Sequence, residues 1–346
     1  MLEASGAGWL RCTVSLAGRP ISRLPLRVGR ILVEPVVMKL IALDQNAISN
    51  LAFLPSPIWS EIYDLLRVGV SKEAILCPTP TETISESVHL SRPKRDGIEC
   101  VCAELSHGYF FRFPWQIIAL EALAKVRPGI DTFPLWIPPR IHTPSEAENE
   151  ASSRTIRLEK TKFEDAVNPI LSEEEKSAIS VGDRKEFPKS RLAYMSAVGW
   201  LRVVRGYLNK LRNDQMLGDE QFIIQQICGT LVELRITDKE IAGLLRNIQR
   251  GEWLKIPMLA CWFALDGVFL YDQLHRGRRF EYNDEWDKYR AGDAFHCAHC
   301  FITDRGMASA IRQAGLRNSD NFEVFSIQET KGIVAYLKAA IDSAVR

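Results

Sequence analysis

The sequence predicts an α/β fold in which a central, mostly parallel sheet is interrupted by a mainly helical insertion. Two short, largely apolar runs, near 40–43 and 300–303, are each closed by an aspartate. Such runs are typical of parallel strands that are buried on both faces and end at an edge of the sheet. Helical patterns follow both runs, whereas the sequence between about 137 and 257 is charged and bounded by prolines.

The first half of the predicted α/β domain covers 38–136. The stretch "KLIALDQNAI" predicts a first strand with Asp44 at its carboxyl end, where open α/β sheets collect their ligands. Apolar residues at helical spacing in "SPIWSEIYDLLRVG" predict a helix that Gly69 stops. A second strand in "AILCPTP", a helix in "TETISESVHLS" that carries Glu86, and a helix at 114–126 complete this half.

The predicted insertion covers 137–257. It contains two amphipathic stretches, near 190–212 and 218–233, and a helix with an acidic first turn after Thr237. Its charged start, "TPSEAENEASSRTIRLEKTKFED", carries no strand pattern. The insertion is therefore expected to be mainly helical.

The second half of the domain covers 258–346. It opens with the apolar helix "MLACWFALDGVFLYDQL", and Asn283 is predicted to cap the next helix. The stretch "HCFIT" predicts a strand that ends at Asp304, followed by a helix that ends at Gly315. A strand in "FEVFS" and a helix in "KGIVAYLKAAI" close the chain.

Composition narrows the classes of function. Apolar content of 46% and charged content of 25% are ordinary for a globular protein, and the net charge of +1 gives no overall attraction to nucleic acid. No run of eighteen apolar residues occurs, so no membrane segment is expected. Eight scattered cysteines favour a reducing cytoplasm. Residues 1–37, Arg-rich and poor in acids, are expected to be a disordered extension or to precede the native start, with a targeting peptide as the alternative.

Three stretches, "LIALDQNAI", "ILCPTPTETISES" and "NDEWDKYRAGDAFHCAHCFITDRG", resemble the PIN-domain family of nucleases. The resemblance covers about 38–125 and 265–346. It implies a three-layer α/β/α domain whose acids cluster at the carboxyl edge of the sheet. It also implies that one or two Mg²⁺ or Mn²⁺ ions are bound by the catalytic acids, which are Asp44, Glu86, Asp287 and Asp304.

Further site residues follow from the resemblance and from position. Asn46 and Thr303 are expected to orient the metal ligands or water. The basic loop "HRGRRF" is near the expected site and could hold phosphate through Arg276, Arg278 and Arg279, with a solvated charged loop as the alternative. Arg290 is also expected to contact nucleic acid. The chain departs from the family pattern at Arg290 and His299, where the compared bacterial relatives have His and Asp.

The acids of the predicted helix at 283–297 cannot all face one cation. Asp284 and Asp287 are three residues apart and share a face, whereas Asp293 lies about 120° around the helix from Asp287. Asp287 is seventeen positions before Asp304, the spacing associated with the family, and is preferred. Asp284 is the second metal-ligand candidate, with a first-turn role at the helix dipole as its alternative. In the first half, Glu82 is the rival of Glu86.

A zinc site in "HCAHC" is the competing interpretation of the same stretch. Cys297 and Cys300 are one pair with suitable spacing, but structural zinc needs four ligands and the other close pair, Cys100 and Cys102, is poorly spaced. Cys300 also opens an apolar strand, where cysteine commonly acts as a small hydrophobe. A hard cation held by carboxylates is therefore favoured over zinc.

The expected function is metal-dependent hydrolysis of a phosphodiester by an endoribonuclease, with single-stranded RNA as the substrate. Carboxylates meeting from distant positions repel each other unless a cation lies among them, and Mg²⁺ prefers a few carboxylates plus water. The alternative is a PIN-like module that has lost catalysis and binds RNA or a protein. A homodimer and an antitoxin-like protein are the other partners considered, although toxins of this kind are usually much shorter chains.

Overall fold

The computed structural model describes residues 38–81, 83, 87, 90–136, 188–213, 222–279, 281–316 and 322–344. The predicted extension at 1–37, the candidate acid Glu86 and its rival Glu82, and the charged start of the insertion up to residue 187 lie outside the described residues. Thr81, Thr83 and Ser87, which surround Glu86 in the sequence, are helical.

The secondary-structure elements alternate as α/β units at both ends of the described chain. The strands are β1 (Lys39–Leu43), β2 (Ile75–Leu76), β3 (Phe110–Phe111), β4 (Leu135–Trp136), β5 (Cys300–Thr303) and β6 (Glu323–Ser326). The helices are α1 (Gln45–Phe53), α2 (Pro57–Ser71), α3 (Arg92–Ser106), α4 (Pro114–Ala124), α5 (Lys189–Arg212), α6 (Phe222–Glu233), α7 (Asp238–Gln249), α8 (Pro257–Arg276), α9 (Tyr282–Cys297), α10 (Arg305–Ala314) and α11 (Thr330–Ala344).

Four of the strands form one parallel sheet in the order β2-β1-β5-β6, and β3 and β4 form a separate antiparallel pair. The predicted α/β class and parallel sheet are thereby confirmed. Strand β1 pairs with β5 through Leu43 and Ile302, although more than 200 residues separate them in the chain. Parallel strands need a crossover connection, and here it carries most of the helices.

Helices cover both faces of this sheet. Side chains of β1 and β5 such as Ile41 and Ile302 pack on one face against α1, α2, α3 and α11. Alternate residues such as Leu40 and Phe301 pack on the other face against α8, α9 and α10. The alternation follows from the two-residue period of a strand, and burial on both sides explains why these strands read as continuous apolar runs.

The helices of the predicted insertion form a core of their own. Buried residues of α5, α6 and α7 pack with α4 and with the first turns of α8 around the fully buried Trp253. Helix α5 crosses α8 very closely, because a Cβ placed on Gly267 would lie 2.4 Å from the Lys189 carbonyl oxygen. Among the described helices, none combines the length and apolar character needed to cross a membrane.

Two predicted helix boundaries are wrong. Helix α2 continues past Gly69 to Ser71, and the glycine instead allows close contact with Ile75, whose side chain would lie 2.5 Å from an added Cβ. Helix α9 is capped by Glu281 rather than Asn283. Glu281 and Asp284 form a reciprocal capping box, which satisfies backbone donors at both positions and sets the start earlier. Predicted boundaries at Thr237 and Gly315 are confirmed.

Candidate functional site

The candidate site lies at the carboxyl edge of the sheet, between β1 and β5. Asp44 directly follows β1 and Asp304 directly follows β5. The chain leaves β1 through helices on one face of the sheet and leaves β5 through α10 on the other face. The connections therefore diverge between these two strands, and such a switch point is where open α/β sheets bind ligands.

Asp44 is held by three donors. Its Oδ1 accepts the Ala47 backbone N–H at 2.7 Å, which caps α1. Its Oδ2 accepts the Thr303 hydroxyl at 2.6 Å and the Asp304 backbone N–H at 2.8 Å. The side chain is 2% exposed and Thr303 is 1% exposed. These contacts fix the carboxylate in one orientation and tie the ends of β1 and β5 together.

The charge of Asp44 depends on opposing effects. Burial raises the pKa of its carboxyl above the ordinary value, and this is the largest influence. The hydrogen bonds from Thr303, Ala47 and Asp304 and the positive charge of Arg290 act in the opposite direction, because each favours the ionised form. The net effect is a pKa above the ordinary value, and the hydrogen bonds to Asp44 leave one lone pair of Oδ1 unused.

Asp304 is the N-cap of α10. Its Oδ1 accepts the backbone N–H groups of Gly306 at 2.5 Å and Met307 at 3.1 Å. No described residue donates a hydrogen bond to its other oxygen, and the side chain is partly exposed. One carboxylate oxygen of Asp304 thus holds the start of α10, and its backbone N–H contacts Asp44.

Asp287 is connected to this pair through Arg290. The Arg290 Nη1 lies 3.2 Å from Asp287 Oδ1, and the same guanidinium acts electrostatically on Asp44. Arg290 is 3% exposed, whereas Asp287 is partly exposed. Arg290 was expected to contact nucleic acid, but its burial leaves its charge facing the carboxylates instead of the solvent.

Asp284, the second metal-ligand candidate, has local contacts. Its Oδ1 accepts a hydrogen bond from Arg278 and its Oδ2 accepts the Glu281 backbone N–H at 2.8 Å. Burial raises its pKa, and these donors oppose that effect. Asp284 therefore caps the first turn of α9.

The predicted basic loop is largely neutralised. Arg276 pairs with Asp272 at 3.1 Å, and Arg278 pairs with Asp284 and lies over the ring of Phe269. Arg279 is exposed and makes no ion pair with a described residue. Asn46 is exposed in the first turn of α1, and its side chain forms no hydrogen bond with another described residue.

The "HCAHC" stretch is used mainly for packing and backbone contacts. Cys300 is fully buried in β5, where burial raises the pKa of its thiol well above the usual range. His299 Nδ1 accepts the Leu40 backbone N–H at 3.1 Å and so extends the pairing of β1 with β5. Burial lowers the pKa of His296 to about 4. Within the described ranges, no three His, Cys, Asp or Glu side chains are already arranged around a metal position.

The donor chemistry at the sheet edge fits a hard divalent cation better than zinc. Asp44, Asp287 and Asp304 supply carboxylate oxygens, the ligands that Mg²⁺ and Mn²⁺ prefer, and the buried thiols are elsewhere. Arg290 supplies one positive charge against these three carboxylates.

A cavity at the start of α10 was not anticipated from the sequence. It is lined by residues of α10, including Arg305, and by the turn after β6. One signal was available: Arg305 directly follows Asp304, and an arginine in the first turn of a helix is disfavoured by the helix dipole.

Comparisons of this chain with protein-family models, with curated proteins and with solved structures gave no match.

Proposed function

We propose that this protein is a metal-dependent phosphodiesterase of PIN-like architecture that cleaves single-stranded RNA. The observation that carries the proposal is the buried network of Asp44, Thr303 and Asp304 at the switch point of the parallel sheet. Helices on both faces of the sheet agree with a three-layer α/β/α arrangement. Asp44 is 2% exposed and accepts hydrogen bonds from three donors, so its carboxylate is held in a single orientation. An acid on the surface has no need of such contacts.

In this proposal the metal ligands are Asp44, Asp287 and Asp304, with Glu86 as the fourth acid outside the described residues. A bound Mg²⁺ or Mn²⁺ supplies an acidified water and neutralises charge on the departing oxygen. Thr303 positions Asp44, the Gly306 and Met307 amides position Asp304, and Arg290 restrains Asp287. Each of these three acids is thus held in place by a neighbouring donor before a metal ion binds, as a preorganised site requires.

Asp304→Asn is the cleanest test, because the contacts of its two oxygens differ. An asparagine keeps the oxygen that caps α10, and its amide replaces the oxygen that has no hydrogen bond within the described part. Asn and Asp are comparable N-caps, so the free energy of unfolding should change by less than about 0.5 kcal/mol. Asp342→Asn, on the exposed face of α11, is the matched control for loss of one carboxylate.

The expected result is Mn²⁺-dependent cleavage of a single-stranded RNA by the parent and by Asp342→Asn. Asp304→Asn should lose at least about 100-fold in rate, because one metal ligand is gone. Cleavage by Asp304→Asn at the parental rate would contradict the proposal. Thermal unfolding measured on the same samples separates lost chemistry from lost folding.

Arg290 supports a second candidate, a PIN-like module that binds RNA or a protein without catalysis. Its buried guanidinium already neutralises part of the carboxylate charge through Asp287. Metal titration separates the two functions, since a ligand that binds only the folded state at 100 times its Kd stabilises it by about 2.7 kcal/mol. A rise in Tm with Mn²⁺ that is absent in Asp304→Asn supports the nuclease, and equal Tm values support the binding module.

A further inference from the structure

An open cavity of about 550 Å³ lies between α10 and the turn that follows β6. Arg305, Ser309 and Gln313 line it from α10, where their spacing of four residues places them on one helix face. Gln328 lines the opposite side from the turn. Its volume is within the range of small-ligand sites, and its lining is rich in hydrogen-bonding side chains.

A second arginine that lines the cavity connects α10 to β6 and the turn after it. The Arg312 guanidinium is hydrogen-bonded to Glu329 at 2.6 Å and to the Val324 carbonyl oxygen at 2.7 Å. The Ser326 backbone N–H also donates to Glu329 at 2.6 Å. The hydrogen bond from Arg312 lowers the pKa of Glu329, and the contacts of Arg312 with Glu329 and Val324 join α10 to β6.

Arg305 carries the charge that remains available in this cavity. It is exposed and makes no ion pair with any residue that the structure describes. By contrast, Arg278 and Arg290 are each paired with a carboxylate. At the other end of the cavity, Lys189 Nζ donates to Gln313 Oε1 at 2.8 Å, which brings a further positive charge to this side of α10.

The cavity opens at the same edge of the sheet as the acid cluster. Ser326, one of its lining residues, pairs in register with Thr303, the residue that holds Asp44. Arg305 is the residue after Asp304. The cavity is therefore one strand away from the cluster, and an extended ligand could occupy both.

We infer that this cavity binds a backbone phosphate of a single-stranded RNA whose scissile bond lies at the acid cluster. Arginine is well suited to phosphate because its planar guanidinium donates two parallel hydrogen bonds. The Ser309 hydroxyl and the Gln328 amide provide neutral donors to the phosphate or to the 2′-hydroxyl of ribose, whereas the Gln313 amide is already bonded to Ser309 and Lys189. The choice of RNA as the ligand rests on the proposed function, but binding of RNA can be measured without cleavage.

The test is the affinity for a short fluorescein-labelled oligouridylate, measured by fluorescence anisotropy in EDTA at several salt concentrations. Arg305→Gln should weaken binding by about tenfold, as expected for loss of a charge-assisted contact. It should also reduce the steepness of the plot of log K against log salt concentration by about 0.7, which is the contribution of one phosphate contact on a single strand. Arg305→Lys should restore the salt dependence because it restores the charge.

The matched control is Arg205→Gln, which removes an exposed arginine from α5. The inference is supported if Arg305→Gln weakens binding while this control binds like the parent. It is overturned if Arg305→Gln also binds like the parent, if both variants lose the same affinity, or if the parent does not bind the oligonucleotide. If Arg305→Gln weakens binding but the parent shows no Mn²⁺-dependent cleavage, the proposed nuclease is overturned and the phosphate subsite is retained.

Discussion

Replacing Thr303 by valine removes one hydroxyl from the contact with Asp44 and nearly preserves the shape of the side chain. The lost hydrogen bond is 2.6 Å long and joins residues that are 1% and 2% exposed. A hydrogen bond to a charged group contributes about 1.5–3 kcal/mol. Because the site is buried, water cannot readily replace the hydroxyl. Thr303→Val should therefore lower the free energy of unfolding by about 2 kcal/mol at neutral pH.

The loss should depend on pH in a defined direction. Burial raises the pKa of Asp44 above 3.8, so its contribution to stability is greatest below that pH and is lost as the pH rises through the folded-state pKa. Removing the Thr303 hydroxyl raises this pKa further, which makes the ionised form costlier to bury. At acidic pH the carboxyl is neutral, and the missing hydrogen bond should cost only about 1 kcal/mol.

Urea denaturation followed by circular dichroism at neutral and acidic pH measures both values. Thr303→Ser is the control, since it keeps the hydroxyl and should lose only about 0.8 kcal/mol for one methyl group at either pH. Equal midpoints for Thr303→Val and the parent at neutral pH would refute the reasoning, as would a loss that is the same at both pH values.

Three further predictions concern stability and are measured by the same denaturation assay. Lys288 is buried and ion-paired with both Asp266 and Glu285 at 2.8 Å, so Asp266→Ala should cost about 1.5–3 kcal/mol because Glu285 remains as a partner, whereas Asp266→Ala combined with Glu285→Ala should cost about 3–5 kcal/mol because it leaves the buried ammonium unpaired. Gly267→Ala should cost about 1–3 kcal/mol because its Cβ would meet a carbonyl oxygen of α5, whereas Gly206→Ala, with nothing within 4 Å, should stabilise α5 by about 0.5–1 kcal/mol; similar effects for both would contradict the close helix crossing. An arginine and the capping box lower the pKa of Glu240 to about 2, so its contribution is present above pH 4.5 and is lost as the pH falls through 2; Glu240→Gln should therefore be less stable than the parent at neutral pH and equal to it at the acid limit.

The strands that carry the site could be predicted because their signal is local. In β1 and β5 both faces are buried, which gives a continuous apolar run, and the chain can leave the sheet only where polar residues begin. That placed Asp44 and Asp304 at strand ends. The prediction that the two strands are neighbours also required the parallel topology, which came from the sequence resemblance. In the structure, β1 and β5 are adjacent in the sheet.

The orientation of α9 could not be predicted from its sequence. This helix buries charged side chains, among them Lys288, Arg290 and Asp293, so charge does not mark its solvent-facing side. Hydrophobic periodicity assumes that charged residues face water, and the assumption fails where ion pairs satisfy them inside. The assignment of Arg290 to the RNA surface depended on that assumption. The cavity beside Arg305 was missed for a different reason: it is formed by α10 and the turn after β6, and nothing local in either sequence indicates that they are neighbours.

Arg290 is the residue on which the nuclease and the binding module differ, and its position is compatible with the nuclease. Burial alone would favour a neutral Asp44, which is a poor metal ligand, and the nearby guanidinium lowers the pKa of that carboxyl. One guanidinium cannot neutralise three carboxylates, so a divalent cation would still be attracted. A buried arginine also costs several kcal/mol unless it is paired, and Asp287 provides that partner. Its charge therefore favours the ionised form of Asp44 and opposes part of the effect of burial.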